Sequence, residues 1–229
     1  MLSTHSEFGR RVEEIECYFA ALKALEEKSP RSLNEPYFNN EFVKILKANT
    51  IIIIYNLVES TVTGTLTEIY GKIKEDKLTY SDVNAKIQQI WFSFKFRQVY
   101  DQHSHYISYK DQALKIIESL LNKEVIELDR KATSISGNLD AQKIRNICRE
   151  HGISFVPPRK SQGGKQLERV KSLRNELAHG SLSFAECGRD LTYQDLIQIK
   201  NETIYFLKGF LEGIKTYYDE EKYRSTYPE

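Results

Sequence analysis

At 229 residues, with 40% hydrophobic and 28% charged side chains, the chain carries enough apolar material for a real core and is too apolar to be disordered. A net charge of +1 excludes binding to nucleic acid or membrane by overall charge, so such a partner must meet a local patch. Three dispersed cysteines, Cys17, Cys148 and Cys187, form no CxxC pair and suggest neither a disulfide framework nor a zinc site.

The N-terminus lacks the apolar core of a signal peptide. The most apolar run, IIIIYNLV at 51–58, is far shorter than the roughly 20 residues of a membrane helix. These features predict a cytoplasmic protein of one domain, residues 1–229.

Helical periodicity dominates. Phe8, Val12, Ile15, Phe19 and Leu22 step by four or three and predict a first helix, ended by Ser29 and Pro30. A second starts near Phe42 and carries Ile54, Val58, Val62, Leu66, Ile69 and Ile73 on one stripe. Four isoleucines and TVTGTLT at 61–67 have strand propensity, and Gly64 weakens a helix, but the unbroken stripe favours helix.

Ser81 and Asp82 read as a cap leading into WFSFKF at 91–96, which alternates like a strand or forms a buried helical turn. A helix over 108–128 follows, with Leu114, Ile117, Leu121, Val125 and Leu128 on one face. Gly137 and Asn138 break the chain, Asn138 is placed to cap LDAQKIRNICRE, and Gly152 stops that helix.

GISFVPPRKSQGGK at 152–165 is a loop. A helix resumes near Gln166 and runs into RNELAHG at 174–180. SLSFAECGRDL reads as an irregular connection. Thr192 caps a last helix that buries Leu196, Ile199, Thr203, Phe206, Phe210, Ile214 and Tyr217, and the tail after Asp219 frays. The expectation is an all-α helical bundle of about six or seven helices. Its long N-terminal helices occupy 1–130 and its motif-bearing part 137–218.

There is no HExxH, no phosphate-cradling GK[ST] loop and no GxSxG. His103 and His105 resemble a metal pair, but with only Asp101 beside them a solvated or structural role is expected. Neither a metal nor a cofactor is predicted. Charge is concentrated elsewhere. From Lys143 to Arg174 nine basic residues stand against two acids, Glu150 and Glu168. Within this window Arg159, Lys160, Lys165, Arg169 and Lys171 are the candidate RNA contacts.

RNELAHG supplies the candidate catalytic residues Arg174, Asn175 and His179. Arg174 stays charged and suits phosphate oxygens; His179 can move protons near neutral pH. Asn175 is placed to hold a phosphate or ribose oxygen, or to orient the imidazole. On a regular helix Arg174 and His179 stand roughly 140° apart. Gly180 predicts a helix end at which His179 leaves the helical path and the mismatch eases. A helix C-terminus also favours the imidazolium.

RNELAHG resembles the RxxxxH motif of the HEPN superfamily (higher eukaryotes and prokaryotes nucleotide-binding). LRNELAHGSLSFAECGRDLTYQDL and TIIIIYNLVESTVTGTLTEIY are similar to segments of stand-alone HEPN proteins from prokaryotic defence loci. The resemblance implies an all-α, metal-independent endoribonuclease acting as a toxin or antiphage effector. It implies a homodimer in which Arg174 and His179 of both copies line one cleft, and a possible antitoxin or defence-system partner. The RNA 2′-hydroxyl would attack the adjacent phosphate and leave a 2′,3′-cyclic phosphate. Some members instead bind RNA or nucleotide without cleaving it, or serve as dimerisation scaffolds. Where some HEPN toxins carry a Tyr that a partner modifies with AMP, this chain has Ser181.

Overall fold

The structure is a computed structural model that describes residues 3–27, 39–97, 106–133, 135 and 137–225. α1 (Ser3–Glu27) buries Phe8, Ile15, Phe19 and Leu22 and half-buries Val12, as its periodicity requires. Its N-terminal donors are met from outside the helix. Glu68 accepts the Thr4 amide at 2.7 Å and the Thr4 hydroxyl at 3.0 Å. The expected stop at Ser29 and Pro30 lies outside the described residues.

α2 (Asn40–Glu75) settles the conflict between strand propensity and helical stripe. Ile54, Val58, Val62, Leu66, Ile69 and Ile73 are all buried. The threonines that favour a strand turn their hydroxyls back onto the helix, Thr61 to the Leu57 carbonyl at 2.7 Å and Thr65 to Thr61 at 3.1 Å. Gly64 faces the Thr4 side chain and allows α1 its close approach.

α3 (Ala85–Arg97) contains WFSFKF as helix, with Trp91 and Phe94 buried. Its cap is Asn84 rather than Ser81 and Asp82. The Asn84 side chain accepts the amides of Lys86 and Ile87, both at 2.9 Å. Ser81 and Asp82 belong to a separate 3-10 turn closed by a Thr79–Asp82 capping box. α4 (Tyr106–Leu121) ends earlier than expected, where Lys123 takes a left-handed conformation with φ 50°. Its stripe is real but faces outward: Leu114, Ile117 and Leu121 are 48%, 50% and 77% exposed, while Ile116 is buried.

α5 (Ala141–His151) is capped by Asp140, which accepts the Lys143 amide at 2.8 Å, and not by Asn138. Gly152, left-handed at φ 75°, ends it as expected. α6 (Lys165–His179) carries the motif. α7 (Phe184–Arg189) forms where an irregular connection was expected, nucleated by a Ser183–Glu186 capping box. Gly188 lies so close to the Lys44 carbonyl of α2 that no Cβ fits. α8 (Tyr193–Asp219) starts at a Thr192–Asp195 capping box and buries all seven expected residues.

Residues 152–164 have little regular structure, yet they are packed. Gly209 and Gly213 of α8 leave a channel for Pro157, Pro158 and Phe155. The Phe155 ring stands edge-on to Phe206 and Phe210. The chain after Asp219 does not fray through Ser225. Tyr223 is fully buried and Arg224 pairs with Asp76 at 2.7 Å.

The described residues therefore form an all-α bundle of eight helices, α7 being the addition, with two isolated bridges and no strand. Among them no helix is long and apolar enough to cross a membrane.

Candidate active site at the end of α6

The motif helix ends on glycine. Gly180 is left-handed (φ 72°), a conformation costly for a residue with a Cβ. Its amide bonds Leu177 O at 3.3 Å, and the Ser181 amide bonds Glu176 O at 3.1 Å, the Schellman pattern. The Ser181 hydroxyl also donates to Glu176 O, at 3.2 Å. The break comes one residue after His179, which remains the last helical residue. The expectation that His179 leaves the helical path is therefore not met, and the separation of roughly 140° from Arg174 persists.

His179 is exposed and has no hydrogen-bond partner among the described residues. Arg174 is held. Its guanidinium carbon lies 4.5 Å from the centroid of the Tyr55 ring in α2. Nη1 donates to the Gly137 carbonyl at 3.2 Å and to Asn175 Oδ1 at 3.1 Å. Asn175 Nδ2 in turn donates to Asn138 Oδ1 at 2.6 Å. Asn175 thus touches Arg174 and the preceding loop and makes no bond to the imidazole.

That loop is fixed from both sides. The fully buried Tyr55 accepts the Leu139 amide at 3.1 Å, and burial pushes its phenol pKa up. Asp140 accepts from Lys171 Nζ at 2.7 Å. Burial works to raise the Asp140 carboxyl, but the hydrogen bonds from Lys171 and the Lys143 amide outweigh it and leave it below the usual range. Hydrogen bonds to Asp140, then Glu168, hold the Lys171 ammonium above its ordinary value.

The five candidate RNA contacts differ in how they are partnered. Lys171 is bound to Asp140 and to Glu168 (2.9 Å) and is mostly shielded. Arg169 lies 3.9 Å from Asp195. Lys160 sits over the Tyr205 ring at 5.5 Å. Arg159 and Lys165 are exposed and have no ion-pair partner among the described residues. Sequence reasoning missed Tyr55, Gly137 and Asp140. The turn at Gly137 was visible, but its contacts, Gly137 with Arg174 of α6 and Leu139 with Tyr55 of α2, depend on packing between distant segments.

His151 is fully buried. Its Nδ1 meets the Ile147 carbonyl at 2.7 Å, so Nδ1 carries the proton and Nε2 accepts from the Tyr70 hydroxyl at 2.6 Å. Burial pushes its pKa down to about 4. His103 and His105 lie outside the described residues. Among the described residues no three His, Cys, Asp or Glu side chains group to hold a metal ion.

An all-α bundle whose motif helix closes on Arg174, His179 and a left-handed glycine has the fold and motif of a HEPN domain. The model of the MAE_28990-like HEPN family matches residues 3–223, and the chain belongs to that family. No curated protein and no solved structure matches it. HEPN domains are often RNases, and others bind nucleotides.

Proposed function

We propose that the protein is a metal-independent endoribonuclease, acting in the cytoplasm as a toxin or antiphage effector, whose cleft is completed by a second copy of the chain. The observation that carries this reading is the unequal treatment of the motif. Arg174 is fixed against Tyr55 and Gly137, while His179 stands exposed on another side of the same helix. A phosphodiester held by Arg174 of one copy then meets an imidazole from a two-fold mate.

The chemistry follows from the groups present. Arg174 spends Nη1 within the chain and keeps Nε and Nη2 for phosphate oxygens. One His179 takes the proton of the RNA 2′-hydroxyl as its oxygen attacks phosphorus. The other gives a proton to the leaving 5′-oxygen as the P–O5′ bond breaks. The products are a 2′,3′-cyclic phosphate and a 5′-hydroxyl, and DNA, lacking the 2′-hydroxyl, is left intact. Residues 1–229 act as one domain, and an antitoxin or defence-system partner restrains it by occluding the cleft.

The test is incubation of purified protein with RNA in EDTA. Wild type releases fragments ending in 2′,3′-cyclic phosphate and His179→Ala does not. Full cleavage by His179→Ala removes the site assignment. A second reading, RNA or nucleotide binding without cleavage, draws on the capture of Asn175 and Lys171 by intrachain bonds. Intact RNA with salt-sensitive binding would favour it.

A further inference from the structure

Two clefts flank α5 and share one wall. The first, about 450 Å³ between α3 and α5, is lined by Lys86, Gln89, Ser93, Arg149 and Glu150 over an apolar floor of Ile90 and Ala132. The second, about 350 Å³ between α5 and the packed loop, is lined by Arg145, Arg149, Ser154 and Phe155. Arg149 belongs to both. Lys86, Arg145 and Arg149 have no carboxylate partner among the described residues. Arg149 bonds only the Asn146 side chain, at 2.9 Å, and Arg145 bonds the Gly163 carbonyl. Two cations of the motif helix differ, since Lys171 is neutralised by Asp140 and Glu168 and Arg169 shares Asp195.

We propose that these paired clefts bind the phosphodiester backbone of an RNA strand that runs on beyond the cleavage site. Lys86 and Arg149 are exposed, Arg145 is half-buried over the Phe206 ring, and cations without carboxylate partners drawn from two helices, with apolar surface between them, suit phosphates carrying bases. Glu150 is the single acid on the rim and repels anions weakly beside three cations. The second cleft is tied to the start of the motif helix, the end away from His179. Arg145 holds Gly163, just before α6 begins, and His179 is the last residue of α6. Its 15 residues span about 22 Å. A strand must cover that length to use both ends, so the clefts select for substrate length. This inference rests on the RNase reading for its substrate, but binding at the clefts needs no cleavage.

The experiment measures RNA affinity against salt for the His179→Ala protein and for the same protein carrying Lys86→Gln and Arg149→Gln. Losing two phosphate contacts lowers the slope of log affinity against log salt by about 1.4 for a single strand. Arg149→Glu weakens binding further, and unchanged circular dichroism melting excludes unfolding. An unchanged slope and affinity in both variants overturns the proposal. So does a mononucleotide that binds as tightly as a strand long enough to span α6. In otherwise wild-type protein, Lys86→Gln with Arg149→Gln raises KM for long RNA and leaves dinucleotide cleavage unaltered. If wild type cleaves nothing, the RNase reading fails, and the salt slope still decides the clefts.

Discussion

Arg174 and His179 sit five residues apart on one helix and live in opposite surroundings. The arginine is pressed on Tyr55, bonded to Gly137 and tied through Asn175 to Asn138. The histidine has solvent around it. A side chain held on several sides is part of the fold as well as of any site. A side chain held on none contributes little to the fold, and the proposed function gives it a substrate or a second chain to meet.

The sharpest way to break this contrast is to remove each partner. His179→Ala should cut RNA cleavage by about 10² to 10⁴-fold, the usual worth of a general acid or base. Its stability should stay within about 0.5 kcal/mol of wild type in a thermal melt. A clearly lowered midpoint would mean that the imidazole is part of the fold after all.

Arg174→Ala should lose roughly 10²-fold in cleavage. It should also lose about 2 kcal/mol of stability, from the stacking on Tyr55 and the stranded Gly137 carbonyl. Arg174→Lys keeps the charge but not the planar stack, and should recover only part of both.

A third test uses the other kind of histidine. His151 is enclosed and neutral, with a folded pKa of about 4 against about 6.5 when unfolded. Its contribution is fully present above about pH 6.5. It is lost as pH falls towards about 4, because the unfolded chain takes up the proton first. Urea unfolding across that range should show a decline of about 3 kcal/mol attributable to this group, and His151→Gln should flatten it.

The smallest effect is expected at Gly137, whose φ of 26° lies in the left-handed region and whose Cβ position is 3.5 Å from Arg174 Nη1. Gly137→Ala should cost about 1 kcal/mol in a melt and a few-fold in cleavage. A mutant with full activity and lowered stability would separate the grip on Arg174 from its function.

Local signals carried most of the architecture. Thr192, Gly152 and Gly180 act where their neighbours alone set the chain direction, so their capping roles were legible. The caps of α3 and α5 were misplaced by two or three residues. Several residues there can each accept an amide, and the path of the chain selects Asn84 and Asp140. α4 shows the limit of periodicity. The pattern says which residues share a face, but nothing in it says whether a neighbour covers that face. The candidate site divides in the same way. RNELAHG was visible as a string, whereas Tyr55 beneath Arg174 joins residues more than a hundred positions apart. Lys171 was read as an RNA contact; Glu168, three residues before it, was visible, but the path that brings Asp140 to it is tertiary.

The motif helix is bounded at both ends by left-handed glycines, Gly164 at φ 82° and Gly180 at φ 72°. α6 is therefore a ruler of set length, clamped to the packed loop at one end and released at the other. One alanine inserted after Asn175 would leave Arg174 on its tyrosine, yet swing His179 by about 100° and carry it about 1.5 Å along the axis. The interval in RNELAHG is in this sense a mechanical setting. A chain with one residue more would keep its bundle and present its imidazole in a new direction.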